Sequence, residues 1–291
     1  MIGVFDSGNG GLSILHACAA RLPDQTFVYL GDHGHAPYGC RPSEEIIALT
    51  RDGVERLFQR GCRLVVLACN TAAAIALRRL QQDWLPQAYP EHRILGILVP
   101  MVEAVTGVPW DCEAPLPTSP QAPSLIGVFA TRRTVASQAY REEIVKRAPA
   151  VEIVQQACPD LAAAMEDHAN PQAIGAMIQG YVAALLEQTG GRAPDSVILG
   201  CTHYQLVVES FRAALPQGVE IHNQPAVVAE SLADYLRRHP EYAAPAEPPV
   251  AADLFTTGRP PIVNQRARDY LQGLEFAPLE QDDVRSDRPR V

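Results

Sequence analysis

Lysine is almost absent from the sequence: of 24 lysines and arginines, Lys146 is the single lysine. Lys146 lies within residues 139–147, where closely spaced opposite charges indicate an exposed helix. An enzyme that forms a Schiff base through lysine would have to use this residue. The sequence therefore argues against pyridoxal phosphate as a cofactor, and the lack of a Gly-Lys-Ser/Thr triplet argues against a P-loop.

Metal-type cysteine spacing, long apolar runs and an excess of positive charge are also missing. The 7 cysteines form no CxxC pattern, so neither a disulfide framework nor a metal site is expected. The longest nearly apolar run, residues 64–77, is shorter than the ~20 residues that span a bilayer. A net charge of −9 favours neither nucleic acid nor a membrane as partner. Because residues 1–6 lack the basic start of a signal peptide, we expect a cytoplasmic protein.

Length and residue pattern predict an α/β protein. The 291 residues are enough for about two domains. Short apolar segments alternate with helical patterns, which favours parallel sheets covered by helices. Two proline-rich segments, residues 111–123 and 240–249, are predicted loops or linkers. Strands are predicted at residues 2–5, 26–30, 64–68, 94–98, 125–130, 151–154 and 196–199, and helices at 11–22, 43–60, 71–85, 133–147, 171–189 and 204–214.

An internal repeat refines this architecture. Residues 2–5 (IGVF) recur at residues 126–129, and residues 64–71 are echoed at nearly the same spacing by residues 196–203. The same order of features occurring twice predicts two similar parallel-sheet α/β domains that face each other in a pseudo-twofold arrangement. The predicted units are residues 1–97 with 225–279, residues 98–224, and a frayed tail at 280–291.

Both copies of the repeat place a cysteine directly after an apolar strand, Cys69 in the first and Cys201 in the second. The carboxyl ends of parallel strands are where open α/β sheets bind ligands. We expect free amides at the following helix to lower the pKa of each thiol from about 8.5 toward neutrality. A lone cysteine there is more often a small buried side chain, but two in matched positions favour reactive thiols. His203 either tunes Cys201, binds substrate or caps the next helix.

Two further segments carry polar groups at predicted strand ends. Residues 6–11 (DSGNGG) offer amides to a small anion, or else form an ordinary turn in which Ser7 or Asn9 caps a helix. They do not complete a GxGxxG motif, so dinucleotide binding is poorly supported. His33 and His35 lack a third ligand and are better explained as turn histidines than as a metal site.

Five motifs combine into a specific pattern: residues 6–8 (DSG), 37–39 (PYG), 69–71 (CNT), 158–159 (CP) with Glu166 beyond, and 200–204 (GCTHY). Together they resemble the glutamate racemase family of the aspartate/glutamate racemase superfamily. The similarity runs from residue 2 to about residue 275, and includes residues 255–258 (FTTG), which look like the family's Thr/Ser-Gly near its C-terminus.

The resemblance implies two α/β domains with the active site between them and a reaction that needs no cofactor and no metal. One cysteine thiolate removes the α-proton of glutamate, and a thiol on the opposite face returns a proton. Matching positions give these roles to Cys69 and Cys201, with Asp6 and His203 assisting and Glu166 as a less certain participant. The substrate-binding residues implied in the same way are Ser7, Pro37, Tyr38, Gly39, Asn70, Thr71, Thr134 and Thr202.

The resemblance also implies a homodimer that supplies D-glutamate for peptidoglycan. The sequence departs from the family around the pocket: His33, Gly34 and His35 stand where Thr-Ala-Arg is usual, Arg133 where glycine is common, and Arg259 where an acid is common. The alternatives are a racemase of aspartate or of a hydantoin, and a protein that binds an acidic amino acid without catalysis. Substrate selectivity, oligomeric state and any activator are left open.

Overall fold

The computed structural model describes residues 1–109, 124–167, 169–243, 252–260, 271 and 280–282. The predicted loop at 111–123 and most of the one at 240–249 lie outside this part of the chain. Within it, no helix is both long and apolar enough to cross a membrane. Ten strands are described: β1 (Ile2–Asp6), β2 (Phe27–Gly31), β3 (Leu64–Leu67), β4 (Arg93–Gly96), β5 (Leu125–Ala130), β6 (Glu152–Ala157), β7 (Ser196–Gly200), β8 (Glu220–Ile221), β9 (Ala252–Thr256) and β10 (Glu280–Gln281).

The described strands form two sheets, and every strand pair is parallel. The first sheet has the order β10-β9-β2-β1-β3-β4, and the second has the order β6-β5-β7-β8. The second sheet thus reproduces the β2-β1-β3-β4 part of the first. The repeated segments occupy equivalent places, with β1 and β5 central and β3 and β7 beside them. The prediction of two similar parallel sheets is confirmed.

Helices connect the strands and cover the sheets. Most follow the predicted bounds to within a few residues, whereas α5, α8 and α11 were not predicted. The helices are α1 (Leu12–Arg21), α2 (Ser43–Gln59), α3 (Asn70–Arg79), α4 (Leu85–Ala88), α5 (Leu98–Thr106), α6 (Arg132–Ser137), α7 (Ala139–Arg147), α8 (Leu161–Glu166), α9 (Pro171–Gln188), α10 (Val208–Ala214) and α11 (Gln224–Arg238).

Three predicted helices differ in detail. The helix predicted at 71–85 passes through a π-turn at Leu80–Trp84, beside Pro86, which has no N–H to donate to the preceding turn. The one predicted at 133–147 is split by Gln138, which adopts a left-handed conformation with φ 58°. The Ser137 hydroxyl donates to a backbone carbonyl and accepts from Ala139 N, so it competes with the helical bonds. Residues 202–207 form a 3₁₀ turn before α10.

The alternation of side chains along β5 joins the two sheets. Ile126 and Val128 pack into the same cluster of buried side chains as the first sheet. Leu125 and Phe129 point the other way, into a second cluster with helix α9. Since successive side chains of a strand point to opposite faces, the second sheet has one face toward its own helices and the other toward the first sheet. We call the first sheet with its helices the first unit, and the second sheet with its helices the second unit.

The chain returns to the first sheet near its end. β9 lies beside β2, and β10 beside β9. The buried Asp282 carboxylate binds Arg56 at 2.6 Å and Arg60 at 2.5 Å, which holds this segment against α2. Residues 280–282 are therefore joined to the first sheet, and the rest of the predicted tail, residues 283–291, lies outside the described part.

Candidate active site

Both cysteines of the repeat lie at the carboxyl ends of central strands. Cys69 follows β3 and caps α3, its sulfur accepting from Ala72 N at 3.4 Å. The Ser7 hydroxyl, at the end of β1, lies 3.4 Å from the same sulfur. Cys201 follows β7 directly and precedes the 3₁₀ turn at Thr202–Val207. The two thiols thus have equivalent positions in the two sheets.

One small cavity contains both thiols, which are 5% and 7% exposed. Its volume is about 40 Å³, whereas one water needs roughly 10–15 Å³. It therefore has room for a few waters and is too small for an amino acid. Its lining includes most of the predicted site residues and four that were not predicted. The lining residues are Ser7, Gly8, Ala36, Pro37, Tyr38, Gly39, Cys69, Asn70, Thr71, Thr131, Ala162, Glu166, Cys201, Thr202 and His203.

The expected activation of Cys69 by helix amides is wrong for the site as it stands. Burial, followed by the nearby Asp6 carboxyl, raises the pKa of the Cys69 thiol to about 12. The Ser7 hydroxyl and the Ala72 amide lower this pKa, but by less than burial raises it. In this buried position Cys69 is a thiol at neutral pH.

Cys201 belongs to a chain of polar contacts. Its sulfur lies 3.8 Å from His203 Nδ1, and His203 Nε2 lies 2.6 Å from Glu166 Oε1. Nε2 faces a carboxylate and carries a proton, whereas Nδ1 accepts from the Cys201 thiol when the ring is neutral and donates to the thiolate when the ring is charged. Burial alone would lower the pKa of His203, but its bonds to Cys201 and Glu166 raise that pKa well above 6.5. Burial likewise opposes the charge on Glu166, yet the bond to His203 lowers its pKa to about 2.

Asp6 lies at the end of β1 and is fully buried. Its Oδ2 accepts from the amides of Gly8 and Gly11, at 3.1 Å and 3.0 Å. Its Oδ1 has no hydrogen-bond partner among the described residues. Burial raises the pKa of the carboxyl, against the opposing effects of His203 and the two amides. Asp6 is thus a buried acid able to hold a proton beside Cys69.

The loop at residues 6–11 differs from both alternatives drawn from the sequence. Two of its amides bind Asp6, and the Asn9 amide binds Glu166 Oε1 at 3.4 Å. These amides therefore donate hydrogen bonds to carboxylates of the protein itself. No side chain caps α1, so Ser7 and Asn9 are not helix caps either.

Asn70 and Thr71 are fixed by partners from the second unit and the connecting helix α11. The Asn70 amide exchanges hydrogen bonds with Gln224, at 3.0 Å and 3.1 Å, and accepts from the Tyr140 hydroxyl at 2.7 Å. The Thr71 hydroxyl lies 3.0 Å from that of Thr131 and 3.3 Å from that of Thr134. Thr134 is absent from the cavity lining, so it reaches the site through Thr71. The supporting roles of Tyr140 and Gln224 had no signal in the sequence.

The segment around Tyr38 closes the cavity on the first unit's side. The Ala36-Pro37 peptide is cis, and the Tyr38 hydroxyl donates to Asp32 Oδ2 at 2.6 Å. Burial, with the Asp32 carboxylate beside it, raises the pKa of Tyr38 far above 10, so the hydroxyl is a neutral donor. His35 also binds Asp32, at 2.8 Å. Among the described residues no group of three or more His, Cys, Asp or Glu side chains is placed to hold a metal.

The described cavity lining contains no lysine and no arginine. Lys146 is half-exposed on α7, where it pairs with Glu143 at 2.7 Å. A carboxylate in the cavity would meet hydroxyls, an amide side chain and the N-terminus of α3. Helix N-termini bind anions through their amides and the helix dipole, so negative charge can be held here without a cationic side chain.

Fold and site together define a two-unit α/β enzyme in which two equivalent thiols share one cavity. No protein-family model matches the chain. A glutamate racemase of Phenylobacterium zucineum (strain HLK1) is 48% identical over 283 residues, covering 95% of this chain and 99% of that protein. The chain belongs to the glutamate racemase family and is therefore an isomerase of the amino-acid racemase class.

Solved structures agree with this assignment. A glutamate racemase from Bacillus anthracis superposes with a TM-score of 0.80 at 28% identity, over 98% of this chain and 97% of that one. Escherichia coli glutamate racemase, solved with L-glutamate and the activator UDP-MurNAc-ala, superposes with a TM-score of 0.69 at 25% identity, over 96% and 97% of the two chains.

Proposed function

We propose that this chain interconverts L-glutamate and D-glutamate without a cofactor, with Cys69 and Cys201 as the two acid–base groups. The observation that carries this proposal is the shared cavity, which both thiols line from equivalent strand ends. Inversion at carbon through a planar carbanion needs a base on one face and an acid on the other. Two like groups run the reaction in either direction by exchanging their protonation states.

Each turnover moves two protons. A thiolate on one side takes the α-proton and becomes a thiol, and the opposite thiol gives its proton to the other face of the carbanion and becomes a thiolate. On one side, His203 Nδ1 is placed to take the Cys201 proton, and Glu166 stabilises the resulting imidazolium. On the other, Asp6 has a raised pKa beside Cys69, so it serves as a local proton acceptor and donor.

Substrate binding is assigned to uncharged groups. Ser7, Asn70, Thr71 and Thr202 and the backbone of residues 37–39 hold the amino and carboxylate groups, while Thr134 positions Thr71. Preorganised donors of this kind stabilise the charge that develops on the carboxylate when the α-proton leaves. The support for this assignment is the lack of lysine and arginine in the described lining, together with the hydrogen bonds that fix Asn70 and Thr71.

The cellular role we propose is to supply D-glutamate for peptidoglycan. We also propose that the protein is a cytoplasmic homodimer and that each subunit has the predicted two-domain division. Family membership and the acidic composition support this role. In a bacterial host with no other source of D-glutamate, loss of the gene should create a D-glutamate requirement. Growth without D-glutamate would remove the cell-wall role, and a monomer in sedimentation would remove the dimer.

The decisive experiment uses purified chain freed of small molecules by dialysis against chelator. L-glutamate and, separately, D-glutamate are incubated with it in D₂O, and optical rotation and α-deuteration are followed by NMR. Both enantiomers should converge on the racemate, with deuterium at Cα of the product. Activity that returns only with pyridoxal phosphate or a metal would overturn the proposal. Faster turnover of aspartate would keep the chemistry and change the substrate.

A further inference from the structure

The His33 side chain fits in a space between two glycines, Gly31 and Gly258. A Cβ added to Gly31 would lie 2.3 Å from His33 Cε1, and one added to Gly258 would lie 2.7 Å from His33 Cβ. Both distances are far below those that real side chains allow, so these two glycines leave the space that the histidine fills.

The hydrogen bonds of the Asn9 side chain determine which of its two amide atoms faces His33. Asn9 Nδ2 donates to Glu166 Oε2 at 2.9 Å, and a carboxylate can only accept. The Asn9 Oδ1 therefore faces His33 Nε2, 3.0 Å away, and requires a donor there. His33 Nε2 thus carries a proton. On its other side, His33 Nδ1 lies 2.8 Å from the Thr256 hydroxyl and 3.0 Å from the Gly31 carbonyl.

A continuous path of contacts results between the first sheet and Cys201. His33 orients Asn9, Asn9 holds one oxygen of Glu166, and the other oxygen of Glu166 holds His203. His33 and Asn9 belong to the first unit, whereas Glu166 and His203 belong to the second. Cys69 has separate partners, Ser7 and Ala72, so the path leads to only one of the two thiols.

We propose that His33 and Asn9 are positioning residues for Cys201, acting through Glu166 on the orientation and charge of His203. The inference rests on the proposed two-thiol function. A hydrogen bond to a charged group contributes more than one between neutral groups, and a polar network in a low-dielectric site is worth more than its separate pairs. Loss of either residue should therefore weaken proton removal by Cys201 and spare proton removal by Cys69.

The test uses 3-chloroglutamate, with which the two thiols can be assayed separately. A thiolate removes the α-proton, the electron pair of the C–H bond forms a Cα=Cβ double bond, and chloride leaves with the pair of the C–Cl bond. The enamine product then hydrolyses to a keto acid and ammonia, which are easily measured. Cys69→Ser and Cys201→Ser identify the enantiomer that depends on each thiol.

Elimination from both enantiomers is then measured for His33→Ala, His33→Gln and Asn9→Ala, with His239→Ala at the C-terminal end of α11 as a matched histidine control. For the Cys201-dependent enantiomer, His33→Ala and Asn9→Ala should lower the rate about tenfold. The rate for the other enantiomer should stay within about twofold. His33→Gln keeps a donor for Asn9 Oδ1 and should recover most of the lost rate. The acid limb of the Cys201-dependent pH profile should move to lower pH in the Ala variants, because Glu166 then stabilises the His203 imidazolium less and the pKa of His203 falls.

Equal loss for the two enantiomers, or no rescue by glutamine, would show that His33 only supports the fold and would overturn the inference. An unchanged rate in both Ala variants would overturn it as well. In either case wild-type racemisation of glutamate leaves the proposed function intact. A wild-type chain that racemises neither enantiomer removes the proposed function itself.

Discussion

The Glu166 carboxylate binds His203 Nε2 at 2.6 Å, and the two side chains come from different helical segments around the same cavity. Against the effect of burial, the bond lowers the pKa of Glu166 from 4.5 to about 2, and together with the contact to Cys201 it raises the pKa of His203 well above 6.5. Burial opposes the charge on each side chain, and the bond between them favours both charges, so the folded protein contains an ion pair here.

The first prediction concerns the pH dependence of this pair. The contribution of Glu166 to stability is present above pH 4.5 and is lost as the pH falls toward about 2. That of His203 is present below pH 6.5 and is lost as the pH rises through its raised pKa. Glu166→Gln should therefore lower the free energy of unfolding by about 1–3 kcal/mol in the window between. Urea denaturation of both proteins across pH checks this, and a loss that does not shrink at acid pH would contradict it.

Replacing Cys69 and replacing Cys201 should leave variants with different remaining activities. Cys69→Ser and Cys201→Ser each keep a hydroxyl of similar size that is a much poorer base, so each variant should lose nearly all racemisation. With 3-chloroglutamate, each should still eliminate from the enantiomer served by its remaining thiol. Two variants that eliminate from the same enantiomer would exclude the two-thiol mechanism.

Gly10 permits the close approach of the two units. A Cβ there would lie 2.2 Å from Thr202 Oγ1 and 2.9 Å from His203 Nδ1. Gly10→Ala should displace both residues and lower racemisation by roughly 100-fold, since misplacement of about 1 Å at reacting groups has effects of this size. Gly175→Ala in α9 is the control, because a Cβ there meets nothing within 4 Å, and it should stabilise the helix by about 0.5–1 kcal/mol. An active Gly10→Ala variant would show that the units do not need this contact.

Thr202 and Asn70 test whether uncharged donors bind the substrate. Thr202→Ala removes one hydroxyl from the cavity lining. It should raise KM for glutamate and leave the protein folded. Asn70→Ala also leaves Tyr140 and Gln224 without their shared partner, so it should lower stability as well, by about 1–3 kcal/mol. Steady-state kinetics with each enantiomer and thermal unfolding separate the two effects. A glutamate complex with an arginine on the α-carboxylate would contradict this assignment.

Asp282 should matter for stability and not for catalysis. Its carboxylate is buried between Arg56 and Arg60, and removal of one member of a buried ion pair costs about 3–5 kcal/mol. Asp282→Ala should therefore lower the free energy of unfolding by several kcal/mol while keeping racemisation in the folded fraction. Arg237→Ala breaks an exposed pair with Asp234 and should change little. Equal stability of the Asp282 and Arg237 variants would show that the last strand is not anchored here.

The sequence predicts those features that depend on local pattern. The pattern of an apolar strand followed by a cysteine predicted the positions of both thiols. It could do so because the end of a parallel strand is a local property that its own residues determine. The bond between Asn9 and Glu166 could not be predicted in this way, since it joins side chains 157 residues apart across the two units. The expected pKa of Cys69 was wrong for a related reason: the amides at its helix are local, whereas its burial results from packing between elements far apart in the sequence. The break at Gln138 depends on a side-chain bond that helical periodicity does not reveal.

The small size of the cavity also has a kinetic consequence. Since the cavity has room for only a few waters, the proposed function requires a movement that widens it for glutamate to enter and leave. In the proposed mechanism L-glutamate and D-glutamate differ only at the carbon held between the thiols, so both would enter and leave through the same movement. Where this movement limits turnover, a more viscous solvent should slow the two directions to the same extent and reduce the α-deuterium isotope effect on kcat.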